Sequence, residues 1–135
     1  MFRLSKKTEY AILALQYIAS LPKERVATVK KIAEHQTIPQ PLLAKILQQL
    51  AKHRLITSVQ GARGGYTLGR RAEEITLAQM MEAIEGPLNI IDCTIEEHLC
   101  ERDESCTLRS SLSPLQQQLS DYLRSVTLAD VATAT

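Results

Sequence analysis

Cys93, Cys100 and Cys106 are the three cysteines of the 135-residue chain, and their spacing is C-x6-C-x5-C. An odd number argues against a closed disulfide framework and for a metal site or a reactive thiol. The stretch that holds them is acidic and loop-like, with little periodicity. Iron–sulfur clusters use thiolates on irregular backbone, because loops can wrap a cluster. Zinc more usually shows paired C-x2-4-C knuckles, and none is present. Three thiolates fall one short of a four-ligand site. Glu9, His98, Asp103 and Glu104 carry the donor atoms that could complete it. His98 lies two residues before Cys100, and Glu9 is one of three acids in a basic N-terminal half. The plainer readings are a surface histidine for His98 and, for Glu9, an exposed helix residue or a pair with Lys6. No phosphate loop and no nucleophile–base constellation is visible, and His35, His53 and His98 are the only histidines, so an enzyme is not expected.

The second set of chemically suggestive residues is basic. Residues 1–71 hold thirteen Lys and Arg against three Asp and Glu, while residues 72–135 hold three against twelve. The chain's net charge of +1 therefore hides a +10 half and a −9 half. Such asymmetry suits one end to a polyanion; the alternative is two surfaces that neutralise each other. Within the basic half, Gln48 and Gln49 can pair with adenine, and Lys45 with guanine or phosphate. Gln40, Leu42 and Lys45 come early in their helix, where a helix aimed into a major groove makes its contacts. Arg63 stands between Gly61 and Gly64-Gly65, small neighbours that let a hairpin tip approach a narrow minor groove. The glycines alone would be an ordinary turn. Lys6, Lys7, Lys30 and Lys31 sit near helix starts, as phosphate contacts or as solvated lysines.

Positioning these residues requires a particular order of elements. Ser5 can cap a first helix whose Tyr10, Leu13, Ala14, Tyr17, Ile18 and Leu21 recur at helical spacing until Pro22. Thr28 can cap a short second helix with Val29, Ile32 and Ala33. Gln36-Thr37-Ile38-Pro39 reads as a turn. Pro39 and Pro41 suit the start of a third helix that buries Leu43, Ile46, Leu47 and Leu50. The period then becomes β-like over 55–60 and 66–68, around the glycine-rich turn 61–65. Helix, short helix, turn, helix and hairpin is the order of a winged helix–turn–helix.

Downstream, Thr76 and Gln79 match a capping box that opens a helix through Met80, Met81 and Ile84, stopped by Gly86-Pro87. Leu108, Leu112, Leu115, Leu119, Tyr122 and Val126 step by 4, 3, 4, 3 and 4, an a/d seam. A long helix with such a stripe suits a homodimer contact, or packing on its own chain. It either begins at Ser113-Pro114 or begins earlier and kinks there. The expected fold is mainly α: a DNA-binding head at 1–71, a helix and cysteine loop at 72–106, and a dimerisation helix and tail at 107–135. The start is charged at once and no apolar run nears the ~20 residues of a membrane span, so a cytoplasmic protein without a membrane partner is expected.

These motifs together resemble a known family. LSKKTEYAILAL near the start, IPQPLLAKILQQLAKHRLI across the third helix, the wing GARGGYTL, ITLAQMMEAIEGP and the cysteine trio are similar to the bacterial winged-helix regulators that include IscR-like and NsrR-like proteins. The wing and the closing SVTLADV look most like regulators of SUF-type iron–sulfur assembly operons. The resemblance implies a homodimer with long crossed C-terminal helices, a roughly palindromic double-stranded DNA operator, and a [2Fe–2S] or [4Fe–4S] cluster on Cys93, Cys100 and Cys106 that controls DNA binding. In the assembly regulators a histidine three residues after the third cysteine completes the site; here that position is Arg109. In the nitric-oxide-sensing branch an acid from the partner's first helix does so, and Glu9 matches it. The resemblance therefore ranks Glu9 of the partner subunit first and His98 second. Two other readings stay open: a cluster-free thiol-redox regulator of DNA, and a winged-helix protein-interaction module with structural zinc.

Overall fold

The computed structural model describes residues 3–23, 25–87 and 107–132, without the side chains of 107–110. Cys93, His98, Cys100, Asp103, Glu104, Cys106 and the side chain of Leu108 lie outside the described residues.

The first helix, α1 (Lys6–Ser20), begins where the Ser5 side chain accepts the Thr8 N–H at 3.2 Å. Such a cap is worth about 1 kcal/mol. Helix α2 (Val29–Gln36) begins the same way, with the Thr28 hydroxyl accepting the Lys31 N–H. Its end is a turn in which Thr37 takes φ 55°. Pro39 then precedes α3 (Gln40–Lys52), with Pro41 in its first turn. There the missing proline N–H would have had no intrahelical partner.

Period dictates which face of each helix is buried. Leu43, Ile46, Leu47 and Leu50 of α3 are fully buried with Ala11, Ala14 and Leu15 of α1 and Ile32 of α2. The alanines of α1 keep its inner face flat, so the helices can approach closely. Two polar ties lock the arrangement: Gln36 donates to the Leu13 carbonyl at 2.8 Å, and the Tyr17 and His35 rings lie 4.8 Å apart.

After α3 the chain forms the antiparallel pair β1 (Ile56–Val59) and β2 (Gly65–Leu68), with Ile56 opposite Leu68 and Val59 opposite Gly65. Ala27 adds a one-residue third strand by exchanging backbone hydrogen bonds with Tyr66 at 2.8 and 2.9 Å. Gly65 is required there, because a Cβ would lie 2.3 Å from the Ala27 carbonyl oxygen. The whole is the mainly helical winged helix–turn–helix that the sequence implies.

Helix α4 (Leu77–Glu85) follows a 3-10 turn at Ala72–Glu74, and the Thr76–Gln79 capping box forms as expected. It is buried on two faces. Met80 and Ala83 join the core of the head, whereas Ala78 and Met81 meet Leu119 and Leu123 of α5 (Thr107–Ser125). Of the two possible starts for α5, the earlier is found, and Pro114 lies inside the helix.

The end of the seam differs from the sequence expectation. Val126 falls past α5: its carbonyl accepts the Leu77 N–H at 2.8 Å, and Leu128 N–H bonds to the Ile75 carbonyl at 2.7 Å. The cause is local. Thr127 and Asp130 cap each other reciprocally and start a new helix, α6 (Leu128–Ala132). Leu128 is fully buried in the core of the head, and Gln16 of α1 donates to the Val131 carbonyl. Among the described residues, no helix is long and apolar enough to cross a membrane.

Candidate nucleic-acid interface

Burying Leu43, Ile46, Leu47 and Leu50 turns the opposite face of α3 to solvent. Gln40, Lys45, Gln48 and Lys52 are exposed there. Leu42 is half-buried and packs on the core. The adjacent glutamines part company: Gln48 is exposed, while the Gln49 Oε1 is buried with no hydrogen-bond partner among the described residues. Of the two amides, Gln48 is the one that faces solvent. Lys30 and Lys31 are exposed in the first turn of α2.

The wing tip is a tight turn in which the Gly64 N–H bonds to the Gly61 carbonyl at 3.0 Å, leaving Ala62 and Arg63 at its apex. Gly61 has φ 118°, a conformation that costs a side chain dearly. Arg63 is exposed. None of these lysines and arginines is in an ion pair among the described residues, so their charge is free to meet phosphate.

The proposed sensing ligands are only partly within view, since the cysteines and His98 lie outside the described residues. Glu9 is in the first turn of α1, its side chain 45% exposed and 3.5 Å from the Lys6 ammonium. An exposed pair of this kind holds its partners weakly. Glu9 is therefore free to act as a ligand, and a carboxylate oxygen is a reasonable fourth donor beside three thiolates.

Sequence reasoning missed Glu85, the last residue of α4. Hydrogen bonding by the Ser5 side chain first, then by the Thr8 side chain and the Ser5 backbone, holds its carboxyl pKa below the ordinary value. In a capping box the acid at the helix's third residue bonds back to the cap N–H. In α1 that third residue is Thr8, and the distant Glu85 supplies the missing carboxylate. The signal was present in the EGP that closes α4, but helical spacing alone cannot say what that glutamate meets.

The seam on α5 divides. Leu119 packs against α4, whereas Leu115 and Tyr122, one heptad apart, are 46% and 65% exposed. Leu112 and Val126 are half-buried. Leu123, which the heptad pattern passes over, is buried against α4.

Comparison with known proteins agrees with this architecture. The family model described as Rrf2, iron-dependent transcriptional regulator, matches residues 4–134. A protein of Aquifex aeolicus (strain VF5) described as an HTH-type transcriptional regulator is 31% identical over 129 residues, covering 94% of this chain and 89% of its own. The structure of CymR, the global cysteine regulator of B. subtilis, superposes with a TM-score of 0.80 at 25% identity, covering 100% of this chain and 99% of that one. That of T. potens IscR gives 0.75 at 28% identity, covering 96% and 85%.

Proposed function

Because the chain belongs to the Rrf2 family of iron-dependent transcriptional regulators, we propose that it binds its operator as a homodimer and gates that binding through the three-cysteine segment. The family's members are DNA-binding regulators and not enzymes. The observation that carries the reading is the exposure of Gln40, Lys45 and Gln48 on α3 and of Arg63 at the wing tip, on elements that pack into one core. Gln48 and Lys45 read base edges, Arg63 enters the neighbouring minor groove, and Lys30 holds phosphate. Leu42 and Gln49 support α3 from its flanks. Two heads on one dimer meet two half-sites, so the operator is roughly palindromic.

Leu115 and Tyr122, with Leu108 and Leu112 alongside, form the contact between the two long helices, while Leu119 and Val126 pack on their own chain. Cys93, Cys100 and Cys106 would hold a [2Fe–2S] or [4Fe–4S] cluster, with Glu9 of the partner subunit as the fourth ligand and His98 as the substitute. When bound, such a group supplies iron that responds to oxidants or nitric oxide. The chain's own part is mechanical. The cysteine segment runs from the end of α4, where Glu85 grips Ser5 and Thr8, to the start of α5. A change in how that segment is held acts on the first turn of α1 and on the spacing of the heads. The resemblance to SUF-type regulators makes iron–sulfur assembly genes the targets.

The test is operator binding by anaerobically purified dimer with and without its cluster, beside Cys93→Ala and Glu9→Ala. Cysteine loss should abolish the visible absorbance and change operator affinity. Equal affinity in both states would sink the gating, and full absorbance in Glu9→Ala would remove Glu9 from the ligand set. The likeness to a global cysteine regulator favours a second reading, a thiol sensor without a cluster. Colourless anaerobic protein whose DNA binding follows thiol oxidation would select it.

A further inference from the structure

At the root of the wing, away from its tip, lies a cavity of about 680 Å³ between the end of α1, the exit of β2 and the 3-10 turn. Ile18 of α1, Leu21 just past its end, Leu68 and Ala72 are its apolar lining. Lys23, Arg25, Arg70 and Arg71 stand around this apolar floor, against Glu73 and Glu74. Among the described residues only Arg71 of these four is paired, with Glu73 at 3.6 Å, and both groups are exposed. Lys23, Arg25 and Arg70 have no ion pair among the described residues.

The backbone that carries these exposed cations is tied down. The Arg25 N–H bonds to the Pro22 carbonyl at 2.9 Å, which folds the α1–α2 connection tightly. Two residues later Ala27 is bridged to Tyr66 of β2, so the loop carrying Lys23 and Arg25 is tied to the strand that leads to Arg70 and Arg71. Like charges gathered without partners on fixed backbone raise the local concentration of anions. Gly65 and Tyr66 of β2 separate this site from the wing tip by roughly 7 Å. The convex phosphate ridge of DNA also has no apolar body to place on Ile18, Leu21 and Leu68. The size lies within the range of ~300–1,000 Å³ usual for small-molecule sites, and apolar walls with a few convergent charges are their usual lining.

We propose that this cavity binds a small organic anion, a carboxylate or phosphate monoester with an apolar portion, as an effector site separate from the DNA face. The apolar portion rests on Ile18, Leu21 and Leu68. The anionic head meets Arg25 and Arg70, with Lys23 and Arg71 at the rim.

The test uses the full-length dimer and 8-anilinonaphthalene-1-sulfonate, a fluorescent anion with apolar rings. Arg25→Ala/Arg70→Ala should weaken its binding at least tenfold with the dimer intact. Inorganic phosphate should displace the dye from the wild type. A variant that removes acids instead, Glu73→Gln/Glu74→Gln, should tighten binding severalfold, which keeps the proposal testable if the arginine variant folds poorly. Equal dye affinity in wild type and all variants would overturn it. So would displacement of the dye by operator DNA in step with operator occupancy, which would make these cations part of the DNA surface.

Discussion

Glu85 and Ser5 lie eighty residues apart in sequence, yet hydrogen bonding by Ser5, with Thr8 beside it, holds the Glu85 carboxyl pKa below its ordinary value. The last residue of α4 thereby completes the N-terminal cap of α1. One helix's end holds the other's beginning at the point where the chain leaves for the cysteine segment. Thr8 is fully buried, so its hydroxyl depends on such partners, Ser5 at 3.1 Å among them.

That arrangement makes stability depend on pH. Folding lowers the Glu85 pKa, so its contribution is present at neutral pH, fades as the pH falls below the ordinary value of 4.5, and is lost below the lowered folded-state value. Glu85→Gln should remove this part of the acid sensitivity. The carboxylate is solvent-accessible, so its loss should cost under about 1 kcal/mol. Thermal melts of both proteins at pH 7 and pH 4 check it: the gap between them should narrow at the lower pH.

Arg63→Ala should weaken operator binding and lower the slope of log affinity against log salt by about 1 for each wing that contacts a phosphate. Gln48→Ala should leave the salt slope unchanged and relax base preference at one position per half-site, by about 1–3 kcal/mol. Fluorescence anisotropy with operator and scrambled duplexes at several salt concentrations separates the two effects. An unchanged salt slope in Arg63→Ala would place the wing off the DNA.

Leu115→Glu/Tyr122→Glu puts charge on the two exposed positions of the α5 stripe and leaves Leu119 and Leu123 against α4. The expected product is a folded monomer by sedimentation, with helical content retained and operator binding sharply reduced. A variant that stays dimeric would move the contact elsewhere.

Leu128→Ala should destabilise the protein by about 2–5 kcal/mol, the cost of a large-to-small change at a closed core site. The loss should appear as a lower denaturant midpoint in the same cooperative transition as α1, since Leu128 belongs to that core. A separate, earlier transition for the C-terminal segment would contradict it.

Gly65→Ala should cost about 1–3 kcal/mol, because its Cβ meets the Ala27 carbonyl at 2.3 Å and the strand exchange must open. Hydrogen exchange at the Ala27 and Tyr66 amides should accelerate, while exchange in the middle of α3 stays slow.

Much of this protein is local chemistry, and local chemistry is written in the sequence. Ser5, Thr28 and the Thr76–Gln79 pair cap their helices because a short side chain three residues from an unpaired amide needs no distant partner. Leu43, Ile46, Leu47 and Leu50 declare the buried face of α3 by period alone, and the exposed Lys45 and Gln48 follow from it. Gly61 and Gly64 mark the wing tip for the same reason. The tertiary structure decided what depends on residues far apart. Gln49 sits beside Gln48 on the same helix, but only packing tucks its amide oxygen away from solvent. The heptad count carries the seam through Val126, whereas bridging to Leu77 and Ile75 ends α5 and sends Leu128 into the core of the head. Glu85 reads as one more surface acid until α4 brings it to Ser5. Helix period and caps depend on neighbours three or four residues away, while these three outcomes depend on contacts between residues far apart in the chain.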